Sequence, residues 1–144
     1  MVTVVQIARV VHAANRAWQL EHGDAHPSRP WEESHVDTHE IVIAGVRGML
    51  EGDTPESSHA RWVAKKLEQG WTWGPAKDRR RRTHPCMVPF EDLMDHEQAK
   101  DRIMHGIVTA LAPLLDPAEL LPRQGRHGRV TSMPTRAKTP PPSI

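Results

Sequence analysis

The sequence lacks tyrosine and contains only one phenylalanine and one cysteine among its 144 residues. A single cysteine cannot form an internal disulfide, which favours a reducing compartment. No stretch approaches the roughly 20 consecutive apolar residues that span a bilayer, and the first residues lack the basic and apolar regions of a signal peptide. The sequence therefore predicts a cytoplasmic protein, within a host cell if phage-encoded, that does not bind membranes.

Length and charge predict one small domain followed by a basic tail. A chain of 144 residues has room for one modest core, and its apolar share of 38% is low for a fully packed chain. Residues 120–144 contain five basic side chains and no acidic one, whereas the preceding 119 residues contain 14 basic and 18 acidic side chains. We expect a mildly acidic domain over residues 1–115 and a basic, proline-rich, disordered tail over 116–144.

Apolar residues at intervals of three and four predict a mainly α fold with about four helices in a small bundle. The first three predicted helices are Val4–Leu20, Trp31–Leu50 and Pro55–Gln69. A fourth starts near Asp95, where Asp95 and Gln98 fit a capping box. The predicted buried face of this last helix is Ile103, Ile107, Leu111 and Leu114.

Residues 70–90 form the most distinctive segment of the chain. They include two of the five tryptophans, two glycines, three prolines and the only cysteine. This density of rings and turn residues predicts a long ordered loop packed on the helices, with short extended pieces at 71–73 and 87–88. Trp71 and Trp73 alternate along an extended step, so we expect their side chains to face opposite ways.

The third helix and this loop resemble the RyR domain, the small helical repeat of ryanodine receptor calcium channels that also occurs alone in bacterial and phage proteins. The motif residues are His59, Trp62, the Gly70-Trp71-Thr72-Trp73-Gly74 step, Asp78, Arg82 before Thr83-His84-Pro85, and Pro89-Phe90. Residues 7–18 and the Pro30-Trp31 pair are also similar to stand-alone members. The resemblance covers roughly residues 5–112, and Trp73 and Phe90 stand where tyrosine is more usual.

The resemblance implies a ligand-binding or interaction module without catalytic chemistry or a cofactor. We expect a small anionic, nucleotide-like ligand between the first helix, the third helix and the loop. Indole rings would stack on the ligand, and the guanidinium of Arg82 would bind its phosphate. The candidate ligand-binding residues are Asn15, Trp18, His59, Trp62, Trp71, Arg82 and His84.

Each candidate also has a purely structural interpretation. The helical spacing of Trp18 and Trp62 is typical of core residues. The charges of residues 79–82 are typical of a solvated loop, and His84 is typical of a hydrogen-bonding residue within a loop.

Two alternative functions remain open at this point. A protein partner or homo-oligomer could dock on the loop or on the second helix at Gly45 and Gly48. Residues 79–82 and the basic tail could contact nucleic-acid phosphates, although the acidic body argues against nucleic acid as a partner.

Metal binding and catalysis have weaker support. His35 and His39 stand four residues apart, a spacing that chelates zinc on a helix, but no third ligand accompanies them. Cys86 lacks an evident base that would activate it. The sequence therefore predicts neither a metal site nor an enzyme.

Overall fold

The computed structural model describes residues 1–120, which fold into a helical bundle with one ordered loop. Its α-helices are α1 Val4–Glu21, α2 Val36–Leu50, α3 Pro55–Glu68 and α4 Asp95–Leu111. Two short strands, β1 Thr72–Trp73 and β2 Thr83–His84, pair in parallel within the loop. The predicted mainly α fold of four helices is confirmed. No helix within these 120 residues is long and apolar enough to cross a membrane.

Backbone hydrogen bonds join the first residues of the chain to residues 114–116. The Asp116 amide donates to the Val2 carbonyl over 2.8 Å, and the Val2 amide donates to the Leu114 carbonyl over 2.9 Å. Pro117–Leu120 then form a 3-10 turn. The remainder of the predicted tail, residues 121–144, lies outside the described residues.

The N-terminal ends of α3 and α4 are held in different ways. Thr54 caps α3 through a reciprocal capping box with Ser57. The capping box predicted for α4 is wrong, because Met94 is the N-cap and has no side-chain bond. The Gln98 amide instead donates to the carbonyls of Phe90 and Leu93, each over 3.1 Å.

The second helix begins at Val36 rather than at Trp31. Ser34 has an extended backbone, and its hydroxyl donates to the carbonyls of Arg29 and Pro30. A separate 3-10 turn over Trp31–Glu33 precedes this break. The loop before α2 is thus held by its own side-chain bonds, which compete with the helix.

The apolar core lies between α1, α2 and α4. The inner face of α4 carries the buried Met104 and Val108, and the predicted Ile107 and Leu111 are partly buried against the same core. The predicted Ile103 and Leu114 are instead 54% and 55% exposed. Periodicity therefore identified this face only in part, because apolar residues occupy more than one side of the helix. The core residues are Val4, Ile7, Ala8, Val11, Val46, Met104, Val108 and Leu115.

Four histidines join helices to the segments that connect them. In each case a ring Nε2 lies 2.7 Å from a backbone carbonyl oxygen. Because a carbonyl only accepts, each ring must donate its Nε2 proton. The pairs are His12 with Arg29, His39 with Trp31, His59 with Val88, and His105 with Asp53.

The loop after α3 is closed by backbone pairing. The Thr72 amide donates to the Arg82 carbonyl over 2.9 Å, and Asp78 and Thr83 exchange two backbone bonds of 3.0 Å. The second extended piece is therefore β2 and not residues 87–88, because Pro85 and Cys86 form a turn that the Met87 amide closes by donating to the His84 carbonyl over 3.4 Å.

We predict that Gly74→Ala weakens this pairing. A Cβ at Gly74 would lie 2.5 Å from the Thr83 Cβ, so one strand must shift. We expect the free energy of unfolding to fall by about 1–3 kcal/mol in urea titrations. Gly106→Ala on α4 is the control, because a Cβ there meets nothing within 4 Å and should raise stability by up to about 1 kcal/mol. Equal stability of Gly74→Ala and the natural protein would contradict the close strand contact.

Candidate functional site

A cavity of about 1230 Å³ lies between the four helices and the loop. Helix α1 contributes Asn15 and Gln19 to its wall, and α4 contributes Lys100. The loop contributes Trp71 and His84. Its size exceeds the roughly 300–1,000 Å³ typical of small-molecule sites, so a ligand of nucleotide size would fit.

Six of the seven predicted ligand-binding residues line this cavity, and Trp18 does not. The Trp18 ring stacks on His22, with centroids 4.0 Å apart. Gln19 lies four residues after Asn15 and shares its helix face better than Trp18, which lies three after it. The six lining residues are Asn15, His59, Trp62, Trp71, Arg82 and His84.

Positive charge is concentrated around the cavity. Nine lysine or arginine side chains line it, against five aspartate or glutamate side chains. The first 119 residues of the chain nevertheless carry an acidic excess of four. The basic groups therefore face the cavity while acidic groups dominate elsewhere on this body, an arrangement that attracts small anions.

Lys66 is a half-buried cation in the wall that lies against two tryptophan rings. Its Nζ lies 4.4 Å from the centre of the Trp71 ring and 5.9 Å from that of Trp62. Burial, reinforced by the charges of Lys77 and Arg79, lowers the pKa of Lys66 to about 8. No carboxylate within residues 1–120 forms an ion pair with it. The aromatic faces only partly replace such a partner.

Two other lysines of the wall do have protein partners. Lys77 donates to the His26 carbonyl over 2.7 Å and lies 3.6 Å from an Asp24 carboxylate oxygen. Lys100 donates to the Glu97 carboxylate over 2.7 Å. Lys66 therefore differs from these two lysines in having no carboxylate partner within residues 1–120.

His84 is neutral and has a defined tautomer. Burial, together with the charges of Lys77, Lys66 and Lys100, lowers its pKa to about 3. The Cys86 amide donates to His84 Nδ1 over 3.0 Å, which leaves the ring proton on Nε2. His84 thus has the structural role that the sequence suggested, and its Nε2–H is a donor in the cavity wall.

His59 and Trp62 form the α3 side of the cavity. His59 is 6% exposed, and its imidazole is fixed by the Val88 carbonyl. The Trp62 ring lies between His59 and His84, with centroid distances of 5.6 and 4.9 Å. Leu67, near the end of the same helix, is 57% exposed. Helix α3 therefore presents polar and aromatic groups to the interior.

Arg82 has a structural contact that the sequence did not reveal. Its backbone has a φ of 53°, in the left-handed region, and its Nη1 donates to the Gln69 carbonyl at the end of α3 over 2.6 Å. The guanidinium thus caps a helix, although the residue also lines the cavity. Lys66, which sequence reasoning missed, follows Trp62 by one helical turn, and this spacing was the available signal.

Two buried polar atoms in the wall have no hydrogen-bond partner within the described chain. These atoms are Asn15 Oδ1 on α1 and Ser58 Oγ on α3. Both residues line the cavity. A buried polar atom without a partner costs about 1–3 kcal/mol, so their presence points to a group that the protein does not itself supply.

Other candidate groups have structural roles. His35 caps α2 by accepting from the Asp37 amide, and His39 stacks on Trp31. No group of three or more potential metal ligands occurs between residues 1 and 120. Burial raises the pKa of the Cys86 thiol to about 11, which keeps it protonated.

We predict that His84 remains neutral, with its proton on Nε2, down to about pH 5, whereas a free imidazole titrates near 6.5. The reason is that burial and three nearby lysines oppose a further positive charge. Long-range ¹H–¹⁵N NMR spectra of the histidine rings would report both the charge and the tautomer. A His84 ring that gains a proton between pH 6 and 7 would contradict the described environment.

A known family matches the larger part of the chain. The sequence model of the RyR domain matches residues 32–121. This stretch includes α2, α3, the loop and α4, and with them five of the predicted site residues. Helix α1 precedes the match, yet it supplies much of the core and the Asn15 side of the cavity. Because the match spans more than half of the chain, the protein belongs to the RyR domain family.

Proposed function

We propose that this protein is a non-catalytic receptor for a small phosphorylated, nucleotide-like anion that binds in the cavity. The observation that carries the proposal is the half-buried Lys66 ammonium, which lies against two tryptophan rings without a carboxylate partner. The basic excess of the cavity wall supports it. An anion would neutralise Lys66 and restore the balance that the protein itself does not provide.

The anionic group would meet two kinds of donor. Lys66 supplies charge, and the neutral His84 supplies an Nε2–H that does not depend on protonation in the physiological range. Charge-assisted hydrogen bonds of the first kind are about twice as strong as neutral ones. The rings of Trp62 and Trp71 would pack against the rest of the ligand.

Recognition without turnover fits the chemistry of these side chains. The Cys86 thiol is held protonated by burial and is therefore a poor nucleophile. The His59 imidazole is committed to the Val88 carbonyl. Both groups stabilise the wall of the cavity, and we assign neither a catalytic step.

A protein-interaction site on α2 receives less support. Gly45 lines the cavity, and Gly48 is covered by the side chains of Asp53 and Arg61. The two glycines therefore do not form the exposed notch that the alternative requires. Nucleic-acid binding also receives less support, because Arg79 and Arg80 line the cavity. The basic tail, the other segment that this alternative requires, lies outside the described residues.

We predict that Lys66→Met reduces the affinity for ADP and for pyrophosphate by about tenfold or more, since a charged hydrogen bond contributes about 1.5–3 kcal/mol. Methionine keeps an unbranched apolar chain against Trp71, so the fold should remain intact. Isothermal titration calorimetry would measure the affinity. Arg81→Gln is the matched control, because it removes one charge from a side chain that is 84% exposed and should change affinity little. Equal binding by Lys66→Met and the natural protein would refute the role of Lys66.

We also predict that affinity for ADP falls as the pH rises above about 8. The pKa of Lys66 is lowered to about 8, so its ammonium group is fully charged only well below this pH. As the pH rises, Lys66 loses its proton before an ordinary lysine does. Titrations between about pH 7.5 and 9.5 would show this, because the terminal phosphate is already ionised there, with a pKa near 6. Lys66→Arg keeps its charge in this range and should bind with little pH dependence. An unchanged pH profile in that variant would assign the effect to another group.

A further inference from the structure

We infer that the cavity selects phosphorylated ligands that also carry hydrogen-bond donors, which Asn15 and Ser58 recognise. This inference rests on the proposed function and specifies the class of ligand. A nucleoside or sugar phosphate has hydroxyl or amino groups of this kind, whereas inorganic pyrophosphate offers phosphate oxygens alone. The relevant atoms are the buried Asn15 Oδ1 and Ser58 Oγ.

Asn15 is an exception among the polar residues of α1. His12 and Arg16 donate to backbone carbonyls of the segment at residues 28–29. Gln19 Oε1 accepts from the Ser28 amide over 2.7 Å. Its neighbours thus use that segment as a partner, while the Asn15 oxygen remains without one.

Ser58 is a similar exception on α3. The Ser57 hydroxyl bonds to Thr54 and Asp53, and the His59 ring bonds to the Val88 carbonyl. A helical serine often donates to the carbonyl four residues earlier, but Ser58 Oγ makes no such bond. The unpaired atoms on α1 and α3 therefore belong to two different elements that line the same cavity.

The chemistry of the atoms defines what they recognise. An amide oxygen only accepts, so Asn15 requires a donor, and a serine hydroxyl pairs readily with a hydroxyl or an amine. The lysines and the Nε2–H of His84 are donors, so they prefer acceptors such as phosphate oxygens. The wall thus offers donors and cations for a phosphate, together with acceptors for the remainder of the molecule.

The test compares Asn15→Leu with the natural protein by isothermal titration calorimetry against ADP and pyrophosphate. We expect the natural protein to bind ADP at least tenfold more tightly than pyrophosphate. Asn15→Leu should lose about tenfold in ADP affinity and leave pyrophosphate binding unchanged. Ser58→Ala should lower ADP affinity in the same selective way. IDP and 2′-deoxy-ADP then locate the donor, since IDP lacks the base amine and 2′-deoxy-ADP lacks a ribose hydroxyl.

The thermal midpoint without ligand separates recognition from a structural role. Asn15→Leu should leave it equal or higher, because a buried oxygen without a partner is removed. Gln19→Leu is the matched control: its oxygen has a protein partner, so this variant should have a lower midpoint. A lower midpoint in Asn15→Leu, or equal ADP and pyrophosphate binding that the variant does not alter, would overturn the inference and leave the proposed function standing. Failure of both compounds to bind would overturn the proposed function and the inference together.

Discussion

The histidine-to-carbonyl bonds determine how this small helical body holds its connecting segments. Four such bonds, each 2.7 Å long, join a helix to a backbone carbonyl elsewhere in the chain. A buried carbonyl without a donor would be costly, so each ring removes a penalty as well as adding a contact. Four of the ten histidines of this chain have this structural role. The cavity depends on these bonds because His12 and His59 form part of its wall.

Basic side chains are concentrated around the cavity, although acidic side chains outnumber them over the first 119 residues. Most basic groups of the first 119 residues line the cavity, and the remaining surface is left with an acidic excess. Field lines from grouped charges are focused within a concave, partly apolar wall. This explains how a body with net negative charge would attract an anion to one place. The net charge of +1 for the whole chain therefore does not reveal the concentration of basic groups at the cavity.

Sequence reasoning located the elements well where a local rule acts alone. The start of α3 follows from Thr54 and Pro55, and the loop follows from its turn residues. The inner face of α4 followed only in part, because apolar side chains surround more than one side of that helix. The predicted cation, Arg82, lines the cavity, but its bond to the Gln69 carbonyl is set by tertiary structure and could not be predicted. Lys66 follows Trp62 by one helical turn, but its contact with Trp71 is visible only once α3 is placed against the loop.

The pairing of Val2 with Leu115 has an architectural consequence. It places the entry and exit of the helical body side by side, because the two backbones are joined by hydrogen bonds on both sides of the bridge. A unit with adjacent ends is suited to insertion into a surface turn of another polypeptide without spreading the flanking segments.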